Sequence, residues 1–432
     1  MRIKTRIATA ALAVAALALP LAACSGGDSA SGGSADGQVE LNFFHRWPNE
    51  PKKTYFDNLV KEFEAENPDI TIKTESVLND NYKDKIKVVA GSTNAPDVMF
   101  TWSGSFIAEL VKGDALMDLG PWLAEDTEFR DSFYESQLPP FAEGDAQYGL
   151  PIGMHSKVFY YNTEVFDEYG LTAPKTWDEF LTVLDTIEQK SGKHAIEFGA
   201  VDTWTIAHYL GTLNQRVVDP AVFVADQDPA KGEFTDPGYV TALERLAEIS
   251  KHVNTDFLAI DHEMARNAWM SGEGAPLFYA QSAEIGYFTD VAFDYSVFNF
   301  PAVAGGKGDP DQLTGAPEGF AISKNTKHPE EAKKFLKFML SKANGIAYTE
   351  STGELSAVQG AVEESKVSDT TKELAQQILD ASEMTAWLDN AYDPQIVATY
   401  LTETQLMLGG QQTPDGVMQK VQETAKRVRD AS

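Results

Sequence analysis

Cysteine is nearly absent from this chain of 432 residues, and histidine is scarce. Because Cys24 is the only cysteine, no disulfide can form within the chain. The sequence also contains no nucleophile elbow (Gly-x-Ser-x-Gly), no phosphate-binding loop ending in Gly-Lys-Ser/Thr and no His-Glu-x-x-His zinc motif. The sequence therefore gives no evidence for a common nucleophilic hydrolase, a P-loop NTPase or a zinc protease.

Positive charge is the second deficit. The chain has 35 Lys and Arg residues against 65 Asp and Glu residues, which gives a formal net charge of -30. Such a field repels nucleic acid and anionic lipid surfaces, so we expect no nucleic-acid partner. A neutral ligand is the easiest to reconcile with this charge, although the charge also serves solubility alone.

The first residues differ from the rest of the chain. Three basic residues among the first six precede an apolar run at 7–19 and the sequence Leu-Ala-Ala-Cys, which ends at Cys24. The run is too short for a confident membrane span and has the flanks of an export signal. This segment resembles a bacterial lipoprotein signal at 1–23, with Cys24 acylated, for example with palmitate. The alternative is a plain secretory signal with a chance cysteine.

The segment that follows the signal has the composition of a tether. After Cys24, the residues up to 37 are Ser, Gly, Ala and Asp, which cannot bury apolar area. We therefore expect residues 24–37 to hold a folded body near the extracytoplasmic face of the cell membrane through a lipid anchor.

Hydrophobic periodicity beyond residue 38 predicts an α/β protein. The first part reads β-α-β-α-β, with a helix at 52–66. The pattern restarts with a strand at 157–161 and continues with a capping box at Thr176-Trp-Asp-Glu179. Further predictions are a strand at 196–201 and a helix at 329–342. The length favours two α/β lobes over one sheet.

Five blocks of sequence carry a resemblance to a known family. They are FEAENPDITIK at 63–73, APDVMFTW at 95–102, GLPIGMHSKVFYYNTEVF at 149–166, GLTAPKTWDEF at 170–180 and GFAISKNTKHPEEAKKFLKFML at 319–340. The chain resembles the extracellular carbohydrate-binding proteins of ABC importers, a group that includes the maltodextrin-binding and multiple-sugar-binding proteins.

The resemblance implies a two-lobed fold of the periplasmic-binding-protein type. In such a fold, ligand binds in a cleft between the lobes, and the chain crosses the hinge more than once. On this basis lobe 1 is predicted at 38–152 and 314–348, and lobe 2 at 153–313 and 349–432. The implied partners are a carbohydrate and the transmembrane subunits of a permease, and the many aromatics favour an oligosaccharide as the carbohydrate. We expect a monomer.

The tryptophans supply candidate platforms for the flat C–H faces of sugars. Trp122, Trp177 and Trp269 fit packing positions better. The four that no amphipathic pattern explains are Trp47, Trp102, Trp204 and Trp387, and the family places cleft aromatics in the same regions. Trp47 and Trp102 follow strand ends, where ligands collect in parallel α/β sheets. Core packing is the alternative for each.

Polar side chains near the same positions could bind sugar hydroxyl groups in pairs. Some follow strand ends, and others lie where the resemblance implies a cleft residue. Together these candidates are His45, Arg46, Asn79, Asp80, Asn81, His155, Tyr279, Gln281, Glu318 and Asp389. Each of them could instead be a solvated loop residue.

The leading hypothesis is a carbohydrate receptor of an importer, without enzymatic activity or cofactor. One alternative is a receptor of the same fold for another solute, such as a polyamine, a metal complex or a phosphodiester. A second is a surface glycosidase or lyase, because carboxylates are plentiful. Asp226, Asp228 and Glu233 faintly resemble the ligands of a calcium-binding loop, but the glycine that such a loop needs is not at the required position. No metal site is therefore predicted.

Overall fold

The computed structural model describes residues 38–288 and 290–431. Among these, the side chain of Asp80 lies outside the described part. The predicted signal, Cys24 and the predicted tether also lie outside it. No helix among the described residues combines the length and apolar character needed to cross a bilayer.

The described residues form short strands interleaved with helices. The strands are β1 (Val39–His45), β2 (Ile70–Ser76), β3 (Val98–Trp102), β4 (Ala142–Glu143), β5 (Ala146–Gln147), β6 (Leu150–Gly153), β7 (Lys157–Asn162), β8 (Ile196–Glu197), β9 (Leu277–Gln281), β10 (Tyr295–Phe298), β11 (Leu313–Thr314), β12 (Glu318–Ile322) and β13 (Met384–Thr385). The helices are α1 (Lys52–Glu66), α2 (Asn79–Val89), α3 (Ser105–Lys112), α4 (Gly120–Glu125), α5 (Thr127–Arg130), α6 (Thr163–Tyr169), α7 (Trp177–Ser191), α8 (Thr203–Val217), α9 (Pro220–Ala225), α10 (Gly238–Ile249), α11 (His262–Met270), α12 (Pro329–Met339), α13 (Lys342–Thr352), α14 (Ala361–Glu364), α15 (Asp369–Asp380), α16 (Leu388–Ala391), α17 (Pro394–Leu408) and α18 (Pro414–Ala431).

One lobe is built on a five-stranded sheet in the order β2-β1-β3-β12-β6. β1 is parallel to both β2 and β3, whereas β12 is antiparallel to β3 and β6. Every residue of β3 and β12 is buried, as expected for central strands covered on both faces. The apolar stripe of α1, which includes Phe56 and Phe63, packs in this core.

The other lobe is built on a four-stranded sheet in the order β10-β7-β9-β8. β7 is antiparallel to its neighbours β10 and β9, and β8 is parallel to β9. Two separate clusters of buried side chains pack on this sheet, one including Phe159 and Tyr279 and the other including Tyr160 and Phe278. Adjacent strand residues belong to different clusters because their side chains point to opposite faces.

The chain passes between the two sheets more than once. It leaves the first sheet after β6 to enter β7, and it returns at β12, which inserts between β3 and β6. β11 and β13 pair in parallel as a separate two-stranded sheet. The predicted lobe boundaries remain a prediction.

Two predicted elements differ from the structure. The predicted strand at 196–201 is only β8, and the predicted helix at 329–342 is α12 followed by a new helix that Ser341 caps. Helix α8 was not predicted, because its residues from Thr205 to Val217 are buried on all sides. Such a helix shows no amphipathic stripe in the sequence.

Candidate functional site

A cavity of about 280 Å³ lies where loops and helix ends of the two lobes meet. Its lining is formed by Arg46, Asn79, Lys83, Trp102, Asp202, Trp204, His208, His262, Glu263, Arg266, Gln281, Glu284, Tyr287, Glu318, Trp387, Asp389 and Asn390. Several of these residues begin or end a regular element, so the sheets fix their positions.

A buried ion pair forms the wall on the side of the first lobe. Arg46 follows β1, and its Nη2 donates to both carboxylate oxygens of Glu318, at 2.7 and 2.6 Å. Its Nη1 donates to the Oδ1 of Asn79 at 3.3 Å. Burial alone would raise the pKa of Glu318, but the charge of Arg46 outweighs it and the pKa falls to about 2. Glu318 is therefore an ionised acceptor at neutral pH.

The same wall presents the indole of Trp102, the last residue of β3. The guanidinium carbon of Arg46 lies 5.5 Å from the centre of this indole, and the Nζ of Lys83 lies 5.0 Å from it. Both cations therefore contact the aromatic face within the range of cation–π attraction. This arrangement leaves an aromatic surface flanked by hydrogen-bond donors.

Asp389, on the short helix α16, faces Lys83 across the cavity. The Nζ of Lys83 lies 3.9 Å from the Oδ2 of Asp389, which is too long for a direct hydrogen bond. Burial raises the pKa of Asp389, although Lys83 acts in the opposite direction. The Oδ1 of Asp389 is buried and has no hydrogen-bond partner among the described residues. It is an acceptor that a ligand hydroxyl could satisfy.

Aromatic rings dominate the wall on the side of the second lobe. Trp387 stacks on the imidazole of His208, with ring centres 4.3 Å apart and planes inclined by 26°. Trp204 lies edge-on to His208 at 5.1 Å and to His262 at 4.7 Å. Trp387 is only 4% exposed, whereas Trp204 is partly exposed. The four rings form one continuous aromatic cluster at the cavity.

A second compensated carboxylate completes this wall. The Oε1 of Glu284 lies 3.1 Å from the Nε2 of His262, and its Oε2 accepts from Arg266 at 3.0 Å. Burial would raise the pKa of Glu284, but His262 and Arg266 lower it to about 2. The guanidinium of Arg266 also lies 4.5 Å from the ring centre of Tyr287.

Eight of the fourteen side chains selected from the sequence line this one cavity. They are Arg46, Asn79, Trp102, Trp204, Gln281, Glu318, Trp387 and Asp389. They come from both lobes and are separated by up to several hundred residues in sequence, so the fold brings them together. Their role in binding remains a prediction.

Of the other six selected residues, the five whose side chains the structure describes do not line the cavity. Trp47 stacks on Phe56 inside the first lobe, with ring centres 5.1 Å apart. His45 accepts from the backbone N–H of Trp47, and burial lowers its pKa to about 3. The hydroxyl of Tyr279 pairs with Thr212.

The other three of the six lie on α2 or two residues before β7. Asn81 is exposed on α2. His155 is buried, with its Nε2 3.7 Å from Glu318, behind the cavity wall. Asp80 belongs to α2, and its side chain lies outside the described part. Trp204, which does line the cavity, belongs to the first turn of α8.

The cavity also contains residues that the sequence reasoning missed. They are Lys83, Asp202, His208, His262, Glu263, Arg266, Glu284, Tyr287 and Asn390. One signal was available, because His262 and Arg266 are four residues apart and share a face of α11. For His208 there was none, since α8 is buried all round.

A larger cavity, of about 600 Å³, lies near the connections between the sheets. Its lining includes Phe223, Gln312 and Met384, but no Trp, His or Arg side chain among the described residues. The smaller cavity is therefore the candidate site, because the aromatic faces and the paired donors and acceptors converge there.

The faint calcium loop has a different explanation in the structure. The Oδ1 of Asp226 accepts from the backbone N–H of Glu233 at 2.7 Å, and its Oδ2 accepts from Tyr239. Asp226 thus organises its own loop. Among the described residues, one group has metal-ligand spacing, formed by Asp185, Glu188 and His252, and it does not line the candidate cavity.

Comparison with known proteins places the chain in a family. The model of the bacterial extracellular solute-binding proteins matches residues 47–346, which is more than half of the chain. The chain belongs to this family. Its two-lobed fold is the one that the sequence predicted, and the family places it outside the cytoplasm.

Individual relatives cover most of the chain. It is 24% identical over 365 residues to the multiple sugar-binding protein of Streptococcus mutans, which covers 80% of each chain. It is 26% identical over 355 residues to the arabinooligosaccharide-binding protein of Bacillus subtilis, covering 76% of this chain and 75% of that one. A solved chitin oligosaccharide binding protein superposes with a TM-score of 0.81 at 24% identity, over 91% of this chain and 99% of the other.

Proposed function

We propose that this solute-binding protein captures a carbohydrate, in particular an oligosaccharide, and delivers it to the permease of an ABC importer. The observation that carries the proposal is the meeting of Trp102, Trp204 and Trp387 with paired polar side chains in one cavity between the lobes. The names of the related sugar-binding proteins support the same ligand class.

The chemistry of the cavity suits a sugar. Pyranose rings have apolar C–H faces that pack on indoles, and their hydroxyl rims need donors and acceptors side by side. Arg46 with Glu318, and Arg266 with Glu284, supply such pairs. Since these cations are already neutralised by carboxylates, the site favours an uncharged ligand over an anionic one.

Capture would be coupled to movement of the two lobes. A ligand that contacts Trp102 from one lobe and Trp204 from the other binds the closed form better, so it shifts the hinge equilibrium towards closure. The permease would recognise that closed form. The protein would act as a monomer, held at the membrane by an acylated Cys24.

Binding without catalysis is the proposed activity. A glycosidase needs a protonated carboxyl group beside an ionised one. Glu318 and Glu284 are both held ionised by their cationic neighbours, which fits binding. The raised pKa of Asp389 makes hydrolysis the alternative that the experiment must exclude.

Calorimetry with α- and β-linked di- to tetrasaccharides tests the proposal. We expect at least one glycan to bind, to be recovered chemically unchanged, and to bind at least tenfold more weakly to Trp204→Ala. Trp122→Ala is the matched control, because Trp122 is a half-buried tryptophan outside the cavity. Absence of heat with every glycan, or cleavage of the glycan that binds, would refute the proposal.

A further inference from the structure

A buried lysine and a buried histidine face each other behind the aromatic wall of the cavity. Lys157 begins β7 and His208 lies on α8, and each is 2% exposed. The Nζ of Lys157 lies 3.2 Å from the Nδ1 of His208, and this is its only hydrogen-bond partner among the described residues. Neither residue was selected from the sequence, although His208 lines the cavity and Lys157 does not.

The other groups around Lys157 leave His208 as its main partner. Its Nζ lies 5.4 Å from the ring centre of Trp204 and 5.2 Å from that of Tyr279. Two carboxylates face it from farther away. Glu284 is held by His262 and Arg266, and Asp389 lies opposite Lys83.

We infer that Lys157 is a positioning residue, which donates to the Nδ1 of His208 and so fixes the tautomer with its proton on Nε2. A neutral imidazole that accepts at Nδ1 carries its hydrogen on Nε2. Burial and the charge of Lys157 keep His208 neutral, with its pKa well below the usual value. Stacking on Trp387 fixes the plane of the ring.

The inference names the ligand group that this corner recognises, and it rests on the proposed function. With Nδ1 occupied by Lys157, Nε2 is the ring nitrogen left for a ligand in the cavity. It offers an N–H donor, so it suits a hydroxyl, ring or glycosidic oxygen of a sugar. A ligand N–H at this position would meet a second donor and be rejected.

The donor depends on the proton that Lys157 carries. Burial lowers the pKa of Lys157 to about 7, although Glu284 and Asp389 act to raise it. Below this pKa the ammonium donates to His208. As the pH rises through it, the neutral amine gains a lone pair that can also accept from an Nδ1–H, so the tautomer with its proton on Nε2 is no longer enforced and the affinity for sugar should fall.

Nuclear magnetic resonance of the histidine rings tests the tautomer without any ligand. In uniformly ¹⁵N-labelled wild-type protein near pH 6, the His208 ring should carry its hydrogen on Nε2, with the signal assigned by its loss in His208→Gln. Lys157→Met should lose this preference. Lys190→Met is the matched control and should keep the preference, because Lys190 does not line the cavity. Like Lys157, Lys190 packs on a tyrosine ring, with its Nζ 5.1 Å from the ring centre of Tyr169.

Calorimetry then tests the consequence for binding. With the glycan that binds best, the wild type and Lys190→Met should lose about fivefold in affinity from about pH 6 to about pH 8.5. Lys157→Met should bind about fivefold more weakly near pH 6 and show no such pH dependence. In a His208→Gln background the side-chain amide donates regardless of Lys157, so adding Lys157→Met should change the affinity for the glycan little.

Two results would overturn the inference. One is a wild-type His208 with its hydrogen on Nδ1 near pH 6, and the other is wild-type affinity and pH dependence in Lys157→Met. If no glycan binds the wild type at all, the proposed function fails, whereas the resonance measurement still decides the tautomer.

Discussion

Two buried cations on opposite sides of the cavity, Arg46 and Lys157, are compensated in different ways. On the first-lobe side, Arg46 contacts Glu318 directly, and both stay ionised. On the second-lobe side, Lys157 has an imidazole in place of a carboxylate, and burial lowers its pKa to about 7. The pair of Arg46 with Glu318 stays ionised, whereas Lys157 can change its charge in the physiological range. We expect the ion pair to stabilise the fold and Lys157 to modulate the affinity for ligand.

Truncating the most buried indole of the cavity should have the largest effect on stability. Trp387→Ala removes a 4% exposed ring stacked on His208 and leaves a cavity, so the free energy of unfolding should fall by about 4 kcal/mol. Trp204→Ala, at a partly exposed ring, should lose less than half of that. Urea denaturation checks both variants, and equal losses would contradict the assigned difference in packing.

Breaking the ion pair of the first wall should come next. Arg46→Met leaves the 6% exposed Glu318 without its cation, and we expect a loss of about 3 kcal/mol at pH 7. Lys85→Met removes an exposed cation next to Glu75 and should change stability by less than about 0.5 kcal/mol. A similar small loss in both variants would show that the buried pair is not structural.

Low pH should reduce the stability that the same ion pair provides. The pKa of Glu318 is about 2 in the folded protein and lies near its ordinary value of 4.5 when unfolded, so its stabilisation is present above pH 4.5 and is lost as the pH falls towards 2. From about pH 5 to pH 3 this group should cost about 2 kcal/mol. Arg46→Met should lack this component, and identical acid profiles for the variant and the wild type would contradict it.

Lys157, on the side of the second lobe, should make stability rise with pH as Glu318 does, but at higher pH, and its replacement should have a smaller effect. Lys157 has a folded pKa below its unfolded value of 10.5, so the unfolded chain binds more protons and stability rises with pH above about 7. Lys157→Met should abolish this rise and, at pH 7, gain about 1 kcal/mol by removing a poorly compensated buried amine. A loss of stability at pH 7 would show that the lysine has a structural role.

Regular elements with clear patterns could be predicted from the sequence. The bounds of α1 and the capping box at Thr176 and Glu179 follow from local apolar spacing and capping chemistry, and the structure has both. The two-lobed fold came from the family resemblance. Helix α8 could not be predicted in this way, because burial on all sides erases its stripe.

The site was only partly predictable for a related reason. Trp102 is the last residue of β3 and Trp47 lies two residues past the end of β1, so the sheet fixes where their backbones are. Their rings take different directions, since the indole of Trp47 turns inward onto Phe56 and that of Trp102 reaches the cavity. Side-chain direction depends on packing with distant residues, as does the pairing of Lys157 with His208, and a single sequence contains no local signal for it.

A crystal structure with the best-binding glycan tests the central claim most directly. We predict sugar rings packed against Trp204 and Trp387, with hydroxyl groups paired to Arg46 and Glu318. A glycan seated instead in the larger cavity, beside Phe223 and Gln312, would contradict the assignment of the site.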